Sequence, residues 1–221
     1  MKEQAYERER ERMVERQLRR RGIVHPQVLQ AMLDVPRHRF VPPPHQDLAY
    51  RDSPLPIGYK QTISQPYIVA LMTQLLHLKG GERVLEVGTG SGYQAAILSR
   101  IAGEVVSLER LPVLAERARR VLDALGYTNI EIIDGDGSTG EAASGMFDGI
   151  LVTAAAPEVP EPLTKKLIEG GRLVIPVGSR CSQVLQVWQR EGGKLNSQAI
   201  APVAFVPLLG RHGWDDDAPP D

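Results

Sequence analysis

The stretch RVLEVGTGSGYQAA, residues 83–96, runs from a β-like, mostly apolar pentad into three alternating glycines and then into alanines. A near-continuous apolar run is the mark of a strand buried on both faces of a parallel sheet. Glycines directly after it let the chain turn sharply and let a ligand approach bare backbone, and the following helix start offers free N–H groups. Ligands of open parallel sheets bind outside the carboxyl ends of the strands, so this turn is where a site is expected. The spacing is not that of the dinucleotide fingerprint G-x-G-x-x-G: Gly88, Gly90 and Gly92 are followed by Tyr93, where the last glycine would fall. Glu86, inside the approach to the turn, would repel a pyrophosphate and hold a ligand that carries an ammonium.

Downstream the alternation is regular. EVVSLE (104–109) is expected to be a strand, 112–125 a helix closed by Gly126, NIEIID (129–134) and MFDGILV (146–152) strands, EPLTKKLIEGG (161–171) a helix and RLVIPV (172–177) a strand. Strands alternating with helices imply a doubly wound α/β fold with a mostly parallel sheet. After residue 180 the apolar alternation around Gly192-Gly193 predicts antiparallel strands that finish the sheet. Upstream, helices are expected over 5–21, 25–35 and from Pro66 to about Leu78, with an ordered irregular segment from Pro42 to Gln65. One domain over 1–210, in which 1–60 forms a small helical cap, and a disordered tail over 211–221 complete the reading.

Composition narrows the function. With 26 basic and 27 acidic residues the net charge is −1, which gives no electrostatic reason to bind nucleic acid or an anionic membrane. No stretch has the apolar length of a membrane span, and the charged start lacks a leader's apolar core, so a cytoplasmic location is expected. Cys181 is the only cysteine and the five histidines lack ligand spacing, so neither a disulfide nor a metal is expected.

Glu109 ends the second strand about 20 residues past the glycines, where a carboxylate accepts hydrogen bonds from both hydroxyls of a ribose. Asp136, with Gly137 in the DGDG that follows the third strand, is placed to meet an adenine amino group. Turn, ribose acid and base-reading acid at successive strand ends, with an acid for an ammonium, point to S-adenosyl-L-methionine. A dehydrogenase is disfavoured by Tyr93 and Glu86, whereas a methyltransferase for a small molecule and a catalytically silent cofactor sensor stay open.

The segments EVGTGSGYQAA, GDG, FDGILVTAAAPEVP and LVIPVG, and more particularly GYKQTISQPYIVALM and PRHRFVP, resemble the protein-L-isoaspartate O-methyltransferases, over nearly the whole chain. The resemblance implies transfer of the S-adenosylmethionine methyl group to the free α-carboxylate of L-isoaspartyl residues in damaged proteins, which are then the partners. The ester would close to a succinimide and hydrolyse in part to normal aspartate. It also implies cofactor contacts at the glycine turn, Glu109, Asp136 and Gly137, an active-site serine at Ser64 with Thr62 and Ile63 beside it, and a peptide cleft that includes Val206 and Leu208. A carboxylate acceptor is already ionised, so no general base is needed and Ser64 is cast as a donor that orients it. Two alternatives stay open at this point: Ser64 or Thr62 could simply cap the helix that Pro66 opens, and 206–209 could simply be an edge strand on the core.

Overall fold

The structure, a computed structural model, describes residues 2–215. A seven-stranded sheet has the order β5-β4-β3-β6-β7-β8-β9, from β3 (Arg83–Val87), β4 (Glu104–Glu109), β5 (Ile130–Asp134), β6 (Phe147–Val152), β7 (Leu167–Gly178), β8 (Gln183–Glu191) and β9 (Lys194–Val203). Neighbours pair in parallel from β5 across to β7, and β7-β8 and β8-β9 are antiparallel. Because β3 pairs with both β4 and β6, the winding reverses beside it, and the glycine turn leaves the sheet at that switch point.

Side chains of each central strand alternate between two cores. Val84, Val105, Leu151 and Val174 face one, Leu85, Val106, Ile150 and Leu173 the other. Each fully buried aliphatic side chain contributes about 1.5–3 kcal/mol, which is why both faces of these strands are apolar. The first core also takes in α1 (Lys2–Met13), α2 (Pro26–Asp34), α3 (Pro66–Leu75), α4 (Tyr93–Ser99) and α5 (Pro112–Ala124). Gly92 makes the packing possible where α4 meets α5, since a Cβ there would lie 3.2 Å from that of Ala118. The second core is closed by the single turn α6 (Glu161–Lys165).

The sequence expectations differ from the structure in four places. The first helix is regular only to Met13, passes through a π turn (Val14–Leu18) and a 3-10 turn (Arg19–Arg21), and stops at Gly22 with φ +87°. The segment thought irregular contains a hairpin, β1 (Leu55–Gly58) with β2 (Gln61–Ile63), whose tip holds Tyr59 and Lys60 at φ +54° and +58°. Neither tip residue is the glycine or asparagine that signals such a turn. The helix expected over 161–171 ends at Lys165, because Leu167 pairs with Phe147 and draws the next residues into β7. Lastly, Arg211–Asp215 of the expected disordered tail are placed, and the rest of that tail lies outside the described residues.

No helix among the described residues is long and apolar enough to cross a membrane. No group of His, Cys, Asp or Glu among them could hold a metal ion.

Candidate functional site

At the carboxyl ends of β3, β4 and β6 lies a cavity of about 380 Å³, lined by Gly88–Ser91, Leu108–Leu111, Gly137 and Thr153. Gly88 and Gly90 have φ of +96° and +54°, a backbone that L side chains adopt only under strain. A Cβ on Gly88 would overlap the Thr153 hydroxyl, which donates to the Gly88 carbonyl at 2.6 Å and so fixes the turn to the end of β6. A Cβ on Gly137 would overlap Val87. The bare wall is therefore enforced by close packing as well as by dihedral angle.

Glu109 lines this cavity. Its Oε2 accepts from the Gly90 N–H at 2.8 Å and its Oε1 from the Leu111 N–H at 2.9 Å. Each oxygen keeps a second lone-pair direction, so the carboxylate shapes the turn and remains an acceptor for hydroxyls of a ligand. A cradle whose walls admit no Cβ, with a carboxylate acceptor on one side, fits the adenosyl ligand expected from the sequence.

Three residues expected in cofactor contact lie elsewhere. Gly92 packs α4 on α5 and does not line the cavity. Asp136 turns its carboxylate away to bind its own chain: Oδ1 accepts from the Ser138 N–H at 2.9 Å and the Ser138 hydroxyl at 2.7 Å, and Oδ2 from the Arg211 N–H at 2.8 Å. Burial would raise its pKa, but the Arg211 and Ser138 hydrogen bonds outweigh it and hold the pKa below the usual carboxylate value. The same contact anchors the C-terminal segment, whose Leu208 and Leu209 line the cavity.

Glu86 is the third. It is 0% exposed within β3, its Oε2 accepts from Ser107, whose hydroxyl in turn meets that of Thr89, and Oε1 has no hydrogen-bond partner among the described residues. Burial, opposed by the Ser107 hydrogen bond and reinforced by the Glu109 charge, pushes its pKa up to about 8. At neutral pH it is chiefly a neutral acid under the turn, so in this structure it presents no carboxylate to an ammonium. The folded protein keeps this proton to about pH 8, whereas the unfolded chain releases it near 4.5. Stability should therefore fall as pH rises through that window, by up to about 1.4 kcal/mol per pH unit from this group. Melting of the ligand-free protein should fall faster from pH 5 to 8 than melting of Glu86→Gln, and parallel curves would refute the assignment.

A second cavity of about 440 Å³ opens beside the first, lined by Pro54, Gln65, Ile68 and Pro202–Phe205. Thr62, Ser64, Thr153 and Val206 line both, so they form the seam between the two. Ile63 lines only the first. The Ser64 hydroxyl makes no hydrogen bond among the described residues, and the N-cap of α3 is Gln65, with no capping bond from its side chain. Asp52 takes over that end of the helix instead, accepting from the Tyr67 N–H at 3.3 Å and from the Gln65 side chain at 2.7 Å. The capping alternative for Ser64 and Thr62 thus loses its basis.

The choice posed for 206–209 dissolves. This segment bridges Ala155 in parallel, with Ala155 N–H donating to Val206 O and Leu208 N–H to Ala155 O, both at 2.8 Å, and its other side lines the first cavity.

Several lining residues were missed. Thr153, the first polar residue after β6, could have been found from the strand-end rule. Tyr59 and Lys60 depend on the unforeseen hairpin, and Arg180, stacked on Trp214 with 5.1 Å from its guanidinium carbon to the ring centroid, depends on the placement of 211–215.

The chain is similar to known proteins over nearly its whole length. A family model described as Protein-L-isoaspartate(D-aspartate) O-methyltransferase matches residues 8–216. A protein-L-isoaspartate O-methyltransferase of Methanoregula boonei is 56% identical over 208 residues, covering 94% of this chain and 96% of that one. Its counterpart in Methanoculleus marisnigri is 52% identical over 96% of this chain and 97% of its own length. Among solved structures, a protein-L-isoaspartate O-methyltransferase aligns with TM-score 0.82 at 30% identity, over 92% of this chain and 67% of the other. A putative one from Plasmodium falciparum, in complex with S-adenosyl-L-homocysteine, aligns with TM-score 0.76 at 30% identity over 89% and 96%.

Proposed function

This chain belongs to the protein-L-isoaspartate O-methyltransferase family, and we propose that its methyl transfer takes place at the seam between the two cavities. The reaction moves the methyl group of S-adenosyl-L-methionine to the free α-carboxylate of an L-isoaspartyl residue, and the ester then closes to a succinimide without the enzyme. One observation carries the placement: Thr62, Ser64, Thr153 and Val206 face a bare, glycine-walled cavity on one side and a peptide-sized one on the other.

S-adenosylmethionine supplies a methyl group made electrophilic by the sulfonium that carries it. The Gly88–Ser91 backbone and Gly137 leave room for this ligand, and Glu109 offers its lone pairs to the ribose hydroxyls. The acceptor carboxylate is ionised at neutral pH, so the chain has no proton to remove and its work is alignment and exclusion of water. Good alignment of two bound reactants is worth as much as about 7–11 kcal/mol of barrier. Ser64 donates its unpaired hydroxyl to the carboxylate and turns one oxygen toward the methyl carbon, with Thr62 beside it. Val206 contributes to the wall of the peptide cleft, whereas Leu208, expected there from the sequence, lines only the first cavity. A lone cysteine and balanced charge are consistent with a cytoplasmic enzyme acting on damaged proteins.

An ester can be told from an ether or an amine by its lability. Label transferred from methyl-labelled S-adenosylmethionine to an isoaspartyl peptide should be released as volatile methanol in mild alkali. Label that survives alkali would mean a different acceptor atom and refute the reading.

A further inference from the structure

Arg37 begins the 3-10 turn Arg37–Phe40, is 0% exposed, and lines neither cavity. Its Nε–H donates to the Ala49 carbonyl and its Nη2 to the Ser64 carbonyl, each at 2.7 Å. The guanidinium also lies over the ring of Tyr93, with 4.8 Å from its central carbon to the centroid. Tyr93 is the first residue of α4 and follows the glycine turn directly. One side chain therefore joins the N-terminal segment, the backbone of the seam serine and the exit of the cofactor-side turn.

As a stabilising device this arrangement is poor. Burial lowers the Arg37 pKa only to about 10, with Tyr93 opposing it, so the group stays charged at neutral pH, and its Nη1 meets no hydrogen-bond partner in good geometry among the described residues. A buried cation with an unpaired N–H costs more than an apolar side chain of similar volume. What it supplies is direction: a planar fork holds two carbonyls and an aromatic face in a fixed relation, which a lysine ammonium cannot do. From the other side Asp52 holds the same loop through Gln65 and the Tyr67 N–H, and Asp52 is itself paired with Arg21. Residues 64–67 are thus clamped between a buried cation and an anion, while the Ser64 hydroxyl makes no hydrogen bond among the described residues.

We propose that Arg37 is a positioning residue for methyl transfer, fixing the Ser64 backbone against Tyr93 so that the serine hydroxyl meets the acceptor at the right place relative to the glycine turn. The proposal rests on the role given to Ser64 above. Arg37 lines neither cavity, so its loss acts on the chemical step chiefly through Ser64, while the cofactor side keeps its glycine turn and the Glu109 carboxylate that braces it.

The test compares Arg37→Lys, Arg37→Met, Ser64→Ala and the Arg37→Lys/Ser64→Ala double variant. Turnover of an isoaspartyl peptide, its KM, S-adenosylhomocysteine affinity by calorimetry and thermal melting are measured for each. In Arg37→Lys, kcat should fall by about thirtyfold or more, with KM and S-adenosylhomocysteine affinity within about threefold of wild type. Arg37→Met, which removes both the fork and the charge, should lose at least as much. In the double variant the lysine should add little to the loss caused by Ser64→Ala, because the two act as one unit. Full turnover in a folded Arg37→Lys, a loss that tracks lost cofactor affinity, or fully additive losses would overturn the proposal. Failure of both Arg37 variants to fold would make Arg37 a stability residue and overturn it as well. If Ser64→Ala itself keeps full turnover, the fault lies in the role given to Ser64. If Ser64→Ala is impaired and Arg37→Lys is not, only the positioning role fails.

Discussion

Ser64→Ala should lose about 10–150-fold in turnover while its melting temperature and its affinity for S-adenosylhomocysteine stay at wild-type values. The magnitude follows from the loss of a single hydrogen bond to a charged acceptor, about 1.5–3 kcal/mol, made at the step where the carboxylate must be aimed. The unchanged stability follows from the structure: the hydroxyl makes no hydrogen bond among the described residues, and the helix end beside it is satisfied by Asp52. Affinity should hold because Ser64 meets the first cavity only at the seam. Steady-state kinetics beside a melting curve separates the outcomes. Lost stability with retained turnover would return Ser64 to a structural role and remove the orienting donor from the mechanism.

Glu109→Ala should weaken S-adenosylhomocysteine binding by at least about 1.5–3 kcal/mol, or roughly 10–150-fold in Kd, measured by calorimetry. Two losses combine in this variant. The cavity loses its carboxylate acceptor for ribose hydroxyls, and the N–H groups of Gly90 and Leu111 lose the partner that sets the turn. KM for the peptide at saturating cofactor should change far less, since Glu109 does not line the second cavity. An unchanged Kd would overturn the ribose role and leave Glu109 only as a brace of the turn.

The half of the site built around the sheet was legible because its signals are local. The apolar run of β3, the three glycines and an acid at the end of β4 sit within one strand-helix-strand stretch, and the parallel fold follows from their periodicity. Signals failed where partners lie far apart in the chain. Asp136 looked like a base reader by its place after β5, but its carboxylate is taken by Arg211, 75 residues on. Arg37 gave no sign of acting on Ser64, 27 residues away, because its role is visible only in two carbonyls it holds. Glu86 was legible as an acid, but its orientation was not: from Val84 to Val87 the strand is buried on both faces, and the Glu86 side chain stays inside. The capping question at Ser64 also turned on a distant partner, Asp52, and the β1–β2 hairpin on two left-handed residues of types that rarely announce a turn.

The central claim is that the seam presents an isoaspartyl carboxylate to the methyl group of S-adenosylmethionine. The most direct test incubates the protein with methyl-labelled S-adenosylmethionine and two peptides of one sequence, one with L-isoaspartate and the other with normal aspartate at a single position. Label on the isoaspartyl peptide alone is the expected result. Equal label on both, or label on neither while S-adenosylhomocysteine binds, would contradict it.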